Sequence, residues 1–202
     1  VLFRSGDGMG SHRMVTKQVS FYEEMTNVPF IIAGPGIHPR QKPVEDLLTQ
    51  PTIDLLPTLC ELAGIPVPSS KPGISLAPFL KGEKQKRQHP YAASEWHSEY
   101  EVTVSPGRMI RSPRYKYTHY LEGNGEELYD MLKDKGERRN LAHDPKYSKI
   151  LAEHRALLDD YIRRTQDDYR SLKVEADKRW RSHAPGYPNH EGPCARDIIN
   201  RK

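Results

Sequence analysis

The chain has 202 residues and 36% hydrophobic content, enough for one domain or two small ones with a modest core. Its 31 Lys and Arg against 27 Asp and Glu leave a formal charge of +4, with both signs mixed along the chain and no basic tract interleaved with aromatics, so no nucleic-acid partner is expected. No run approaches the roughly 20 apolar residues that cross a bilayer, and the first residues lack the charged start and apolar run of a secretory signal, so a soluble protein with no membrane span is expected.

In chain order, Val1-Leu2-Phe3 reads as the end of a buried strand. It runs into a glycine loop at Gly6, Gly8 and Gly10, where backbone can approach a ligand closely. Val28 to Ala33, closed by Gly34-Pro35-Gly36, predicts a second strand buried on both faces. Ile53, Leu55, Leu56, Leu59 and Leu62 predict the apolar face of a helix, with Pro51 near its start and Gly64 just past its end. Cys60 lies among these leucines and is expected to be a buried, inert thiol. Cys60 and Cys194 match no zinc or redox spacing.

Residues 66 to 90 are rich in Pro, Gly, Ser and Lys and read as a connection, with one helical turn at Leu76, Phe79 and Leu80. Strand candidates follow at Tyr91 to Trp96, Arg108 to Arg111, Tyr115 to Leu121 and Glu127 to Asp130, the pattern of an antiparallel meander. Asp144-Pro145 predicts the cap of a long helix. Its apolar stripe of Ile150, Leu151, Leu157, Leu158, Tyr161, Ile162, Tyr169 and Leu172 should cover the sheet. Charge pairs such as Glu153 with Arg155 and Asp159 with Arg163 are assigned to the outer face of that helix. The expected organisation is α/β character over residues 1–85, an antiparallel sheet with its helix over 86–175, and an extended tail over 176–202.

The densest polar constellation is Gly6-Asp7-Gly8-Met9-Gly10-Ser11-His12, with Lys17 close behind and then Tyr22-Glu23-Glu24. Loop N–H groups and the Lys17 ammonium suit negative oxygens, and His12 can hydrogen-bond or exchange a proton, so an anionic ester would fit. Taken alone, a glycine loop with one His and one Lys is more often surface decoration. The alternation from Arg108 to Tyr120 reads as a polyanion track or, preferably, as a half-buried antiparallel strand.

These residues resemble the sulfatases, in which a strand runs into Asp-(His/Asn)-Gly, then Gly-x-His, a lysine, Tyr-Glu-Glu and a Val-Pro segment ending in Gly-Pro-Gly. The matching positions are Gly6 to His12, Lys17, Tyr22-Glu23-Glu24, Val28-Pro29 and Gly34-Pro35-Gly36. The similarity continues through Ile53-Asp54-Leu55-Leu56-Pro57-Thr58-Leu59, Gly73-Ile74-Ser75-Leu76, Tyr115-Lys116-Tyr117, Glu127-Leu128-Tyr129-Asp130 and Glu137-Arg138-Arg139-Asn140-Leu141.

The resemblance implies an alkaline-phosphatase-like α/β fold, represented by its C-terminal part plus a small antiparallel sheet packed on a long helix. It implies hydrolysis of a sulfate ester of a small molecule or glycan, using calcium and a formylglycine made from a Cys or Ser in a Cys/Ser-x-Pro/Ala-x-Arg motif. No such motif occurs here, so the nucleophile is expected upstream of residue 1 and the chain alone is expected to be inactive. By resemblance, Lys17 contacts sulfate oxygens, His12 faces the sulfate or the leaving oxygen, and His97 is a candidate contact at the substrate pocket, or otherwise a surface histidine. No metal ligand is assigned: where the family has its Asp and His or Asn, this chain reads Arg4-Ser5. Val1 to Ser5 are also what one frame of a sequencing-library adapter encodes, and are expected to be an assembly remnant. The resemblance further implies a periplasmic or extracellular address. The rival readings are a phosphodiesterase or phosphonate monoester hydrolase of the same superfamily, and a non-catalytic glycan-binding module.

Overall fold

The structure, a computed structural model, describes residues 6–14, 20–40, 42, 44, 47–69, 72–84, 89–96, 106–121 and 125–171. Strands β1 (Ala92–Trp96), β2 (Gly107–Arg111), β3 (Tyr115–Tyr120) and β4 (Glu126–Asp130) form an antiparallel sheet in the order β1-β2-β3-β4, as the meander pattern predicts. Ser112 closes the β2–β3 turn, its N–H donating to the Tyr115 carbonyl at 2.9 Å while its Oγ accepts from Tyr115 N at 3.1 Å. The register sets Ile110 opposite Tyr117 and Tyr117 opposite Leu128. Period-two alternation then gives Ile110, Tyr115, Tyr117 and Leu128 one face and Met109, Lys116, Thr118 and Tyr129 the other.

Helix α4 (Ser148–Thr165) covers the first face, where Leu151 and Leu158 join Tyr91, Ile110, Tyr115, Tyr117, Leu128 and Leu141 in one buried cluster. The chain enters it through a short turn, Pro145–Tyr147, whose Asp144 carboxylate accepts from Lys146 N at 3.1 Å. The helix is shorter than its apolar stripe. It stops at Thr165, Gln166 takes a left-handed conformation, and Tyr169 is buried from a separate turn, Tyr169–Ser171. Arg108 explains the break: it grips Asp167 through two bonds of 2.5 and 2.8 Å and lies 4.4 Å from the centre of the Tyr169 ring. The Tyr169 hydroxyl is 2.5 Å from His119 Nδ1, so the chain is drawn back across the sheet. Leu172 lies outside the described residues.

The helix charges pair differently from the sequence expectation. Arg155 reaches Glu126 on β4, Arg163 pairs with Asp160, and Asp159 with Arg170.

The second sheet face is covered by residues 20–26, including α1 (Glu23–Thr26). Phe21 stacks near Tyr120 with ring centres 5.9 Å apart, and Tyr22 lies 6.4 Å from Tyr129. Strands β2 and β3 are therefore buried on both faces instead of one, and Arg108 and Lys116 are internal, which leaves no polyanion track along this alternation.

Upstream of β1 the structure departs from expectation. Val28 to Ala33 forms no strand: Phe30 makes an isolated bridge and Ile31 is 56% exposed. A doubly buried strand needs paired strands on both sides for its backbone groups, and among the described residues this segment shows a single bridge, at Phe30, and no ladder. Helix α2 (Pro51–Leu62) forms where predicted but buries its polar side, with Asp54 and Thr58 fully enclosed, Leu56 and Leu59 exposed and Cys60 only half-buried. Asp54 is the reason. Its carboxylate accepts from Gln50 N at 2.7 Å and Ile74 N at 2.8 Å and sits 2.7 Å from His89 Nε2, while Thr58 Oγ1 accepts from Leu76 N at 2.9 Å. That face therefore docks on the segment leading into α3 (Ala77–Leu80). Among the described residues, no helix is long and apolar enough to cross a membrane.

Candidate functional site

The glycine loop packs against α1 through its own backbone. Gly6 N donates to the Met25 carbonyl at 3.1 Å, and a Cβ added at Gly6 would fall 1.6 Å from the Glu24 carbonyl oxygen. The close approach that glycine permits here is thus to protein and not to a ligand. Beyond it the chain makes a tight turn, with Ser11 N donating to Gly8 O and Gly10 N to Met14 O, both at 2.7 Å. His12 and Arg13 hold positive φ of 48° and 62°, a costly conformation for side chains with a Cβ.

That turn lays the His12 ring flat on Tyr22, with centroids 3.7 Å apart and an interplanar angle of 1°. The Ser11 hydroxyl donates to Glu24 Oε1 at 2.5 Å. Partial burial works to raise the Glu24 carboxyl, but the Ser11 hydroxyl and a backbone bond, helped by His12, hold it below its usual value.

Beneath Tyr22 lies a buried ionic clamp. Lys116 on β3 places Nζ 2.6 Å from Glu23 Oε1 and 2.9 Å from Glu137 Oε1, and donates to the Phe21 carbonyl at 2.9 Å. The other oxygen of Glu137 accepts from Glu23 N at 2.7 Å, and Arg111 approaches Glu23 at 3.7 Å. Burial pushes the Glu137 carboxyl up against the pull of Lys116. On the same sheet face burial, and after it the charge of Glu137, raises Glu127 to about 7. Burial likewise carries the Tyr22 hydroxyl to about 12.

Of the residues singled out by sequence, His12 is held in this arrangement, while Lys17 and His97 lie outside the described residues. Lys116, Glu23, Glu24 and Glu137 carry the geometry, yet in sequence they stand only as parts of the Tyr22-Glu23-Glu24, Tyr115-Lys116-Tyr117 and Glu137-Arg138-Arg139-Asn140 landmarks. The usable signal is Lys116 between Tyr115 and Tyr117 at the centre of a strand, since a lysine buried there needs a carboxylate partner.

The residues do not supply the calcium set that the resemblance implies. Arg4 and Ser5 offer no carboxylate, and Asp7 turns its Oδ1 to Met9 N at 3.2 Å, capping its own loop.

Residues 10–164 match the family model described as N-sulphoglucosamine sulphohydrolase, C-terminal. The chain is 77% identical over 197 residues to the Delta 4,5-hexuronate-2-O-sulfatase of Bacteroides thetaiotaomicron, covering 98% of this chain and 41% of that protein. It is 36% identical over 157 residues to the choline-sulfatase of Rhizobium meliloti, covering 72% of this chain and 27% of that one. The solved structure of a 2-O GAG sulfatase superposes with a TM-score of 0.84 at 77% identity, over 96% of this chain and 42% of that one. Another, in complex with its substrate D-glucosamine-2-N,6-O-disulfate, superposes at 0.53 and 27% identity, over 59% of this chain and 25% of that one. The chain thus spans about two-fifths of the length of the relatives it matches at 77% identity. Enzymes of this kind generally use calcium and formylglycine. With the model match running across the loop, the sheet and nearly all of α4, the chain belongs to the sulfatase family and corresponds to the C-terminal region of those enzymes.

Proposed function

We propose that this chain is the C-terminal portion of a carbohydrate sulfatase that removes a 2-O-sulfate from a hexuronate, with its formylglycine and calcium ligands in the part of the relatives that the chain does not span. The observation that carries the proposal is 77% identity, across 98% of the chain, to a hexuronate 2-O-sulfatase. In this reading Lys17 is the point charge on the sulfate oxygens and His97 a contact at the sugar pocket. His12, whose Nε2 is buried, fixes the path of the loop that leads to Lys17. A periplasmic or extracellular address suits a glycan substrate and belongs to the same proposal.

A chimera tests it. Residues 10–164 replace the matching region of the Bacteroides relative, which keeps its own nucleophile and metal ligands, and turnover is measured on an unsaturated hexuronate 2-O-sulfate beside the isolated 202-residue chain. Turnover by the chimera and none by the isolated chain is the expected result. A folded chimera that is inactive on sulfate, or that prefers a phosphodiester or phosphonate ester, overturns it. Tight metal-free glycan binding by the isolated chain would favour a binding module instead.

A further inference from the structure

Among the described residues, His12 Nε2 and Glu24 Oε2 are buried side-chain atoms without a hydrogen-bond partner, and beside them Glu137 Oε1 meets the Lys116 ammonium at 2.9 Å. The same three residues offer ligand atoms that all lie within 4.8 Å of one another, although they come from the loop turn, from α1 and from the segment after β4. Stranded polar atoms are rare in folded proteins because each forfeits its solvation without compensation. Two such atoms, on residues that lie in one cluster with the Glu137 carboxylate, share a single explanation.

We propose that His12, Glu24 and Glu137 form a binding site for a divalent transition-metal cation, separate from the calcium set that the family resemblance places before Gly6. One imidazole nitrogen and two carboxylate oxygens from three segments make a borderline donor set suited to Zn²⁺ or Mn²⁺. The ligand atoms lie within 4.8 Å of one another, and a side-chain shift of a few tenths of an ångström brings them inside the about 4.4 Å that separates opposite ligands of one such ion, with water completing its shell. The second shell is in place. Ser11 fixes Glu24 through its other oxygen, Tyr22 fixes the ring plane of His12, and Glu23 N holds the far oxygen of Glu137. Glu137 is 3% exposed, and its Oε1 is held by Lys116 Nζ at 2.9 Å, so this carboxylate would bridge the ammonium and the ion.

Charge does not oppose an ion at this point. Around it stand three carboxylates, Glu23, Glu24 and Glu137, against two cations, Lys116 and Arg111, which leaves one net negative charge. A bound cation would tie the loop turn to the sheet subdomain through three segments that backbone hydrogen bonds join only in part.

The test is direct titration of the metal-free 202-residue chain with Zn²⁺ by calorimetry, and with Co²⁺ by its visible absorption bands, which report coordination without any activity. The wild type should take up one ion, with intense bands of a low-coordinate site or weak ones of a six-coordinate site, and gain thermal stability. His12→Gln and Glu24→Gln should each weaken uptake at least tenfold while unfolding at the metal-free wild-type midpoint. No stoichiometric uptake, or uptake unchanged in both variants, would overturn the proposal. A fall in the metal-free midpoint of His12→Gln, with no ion bound by the wild type, would likewise overturn it and show a direct histidine–carboxylate contact. The titration stands apart from the chimera turnover, so either result can fail alone.

Discussion

Lys116 and Glu137 bury their charged ends against each other at 2.9 Å, each side chain only 1% exposed, and so fasten β3 to the segment that follows β4. Because Lys116 also holds Glu23 and the Phe21 carbonyl, this one ammonium ties the sheet to the stretch on which His12 is stacked. Lys116→Met removes the charge and keeps most of the volume, but leaves two carboxylates without their cation. A loss of about 3–5 kcal/mol is expected from denaturant unfolding. Adding Glu137→Gln to Lys116→Met should recover part of it. Full additivity of the two substitutions would show that they do not act as a pair.

Glu127 makes stability depend on pH in a direction opposite to most carboxylates. Its folded value of about 7 lies above the ordinary glutamate value of 4.5, so between the two the folded chain binds a proton that the unfolded chain releases. Its contribution is present below about pH 4.5 and is lost as pH rises toward 7. Glu127→Gln, which stays neutral, should therefore raise stability at pH 8 by on the order of 1–3 kcal/mol and change little at pH 4.5. An equal effect at both pH values would contradict this.

His154 and His119 act in the other sense. Burial depresses both, His154 standing between Ser112 Oγ at 2.9 Å and the Ile150 carbonyl at 2.8 Å. Their stabilising contribution is complete above the unfolded histidine value of roughly 6.5 and is lost as pH falls through the depressed folded values. His154→Gln should flatten the acid side of a plot of melting temperature against pH. Retention of the wild-type acid limb would remove His154 from the account.

The exposed leucines of α2 should behave differently alone and in a longer enzyme. In the isolated chain, Leu56→Glu with Leu59→Lys should reduce aggregation, followed by light scattering, with stability changed by under about 0.5 kcal/mol. In the chimera the same pair should cost several kcal/mol, about 2–4, if this face packs on the remaining part of the enzyme. Equal tolerance in both settings would mean that the face has no partner.

Much of the sheet subdomain was legible in sequence. Tyr91 to Asp130 carries four short runs, the first three separated by Ser105-Pro106 and Ser112-Pro113, and the observed strands agree with them to within a residue or two. Asp144 was legible as a cap because its role is local. The end of α4 was not, because it depends on Arg108 reaching Asp167 across the sheet, a contact that no helical period records. Val28 to Ala33 and the leucine face of α2 misled for a shared reason: apolar pattern states that a surface is to be covered, not by which residues. At the site, His12 was found by its spacing from Lys17, whereas Glu24 and Glu137 acquire meaning only when the fold brings them together.

The most direct test of this chain's place in sulfate-ester hydrolysis is Lys17→Ala in the chimera with the Bacteroides relative, measured as kcat/KM on an unsaturated hexuronate 2-O-sulfate with unfolding followed in parallel. The account predicts a fall on the order of 10²–10³ with the unfolding midpoint unchanged, because a charge on the transferring group is lost from a site otherwise intact. An active chimera whose kcat/KM is unaffected by Lys17→Ala would contradict it.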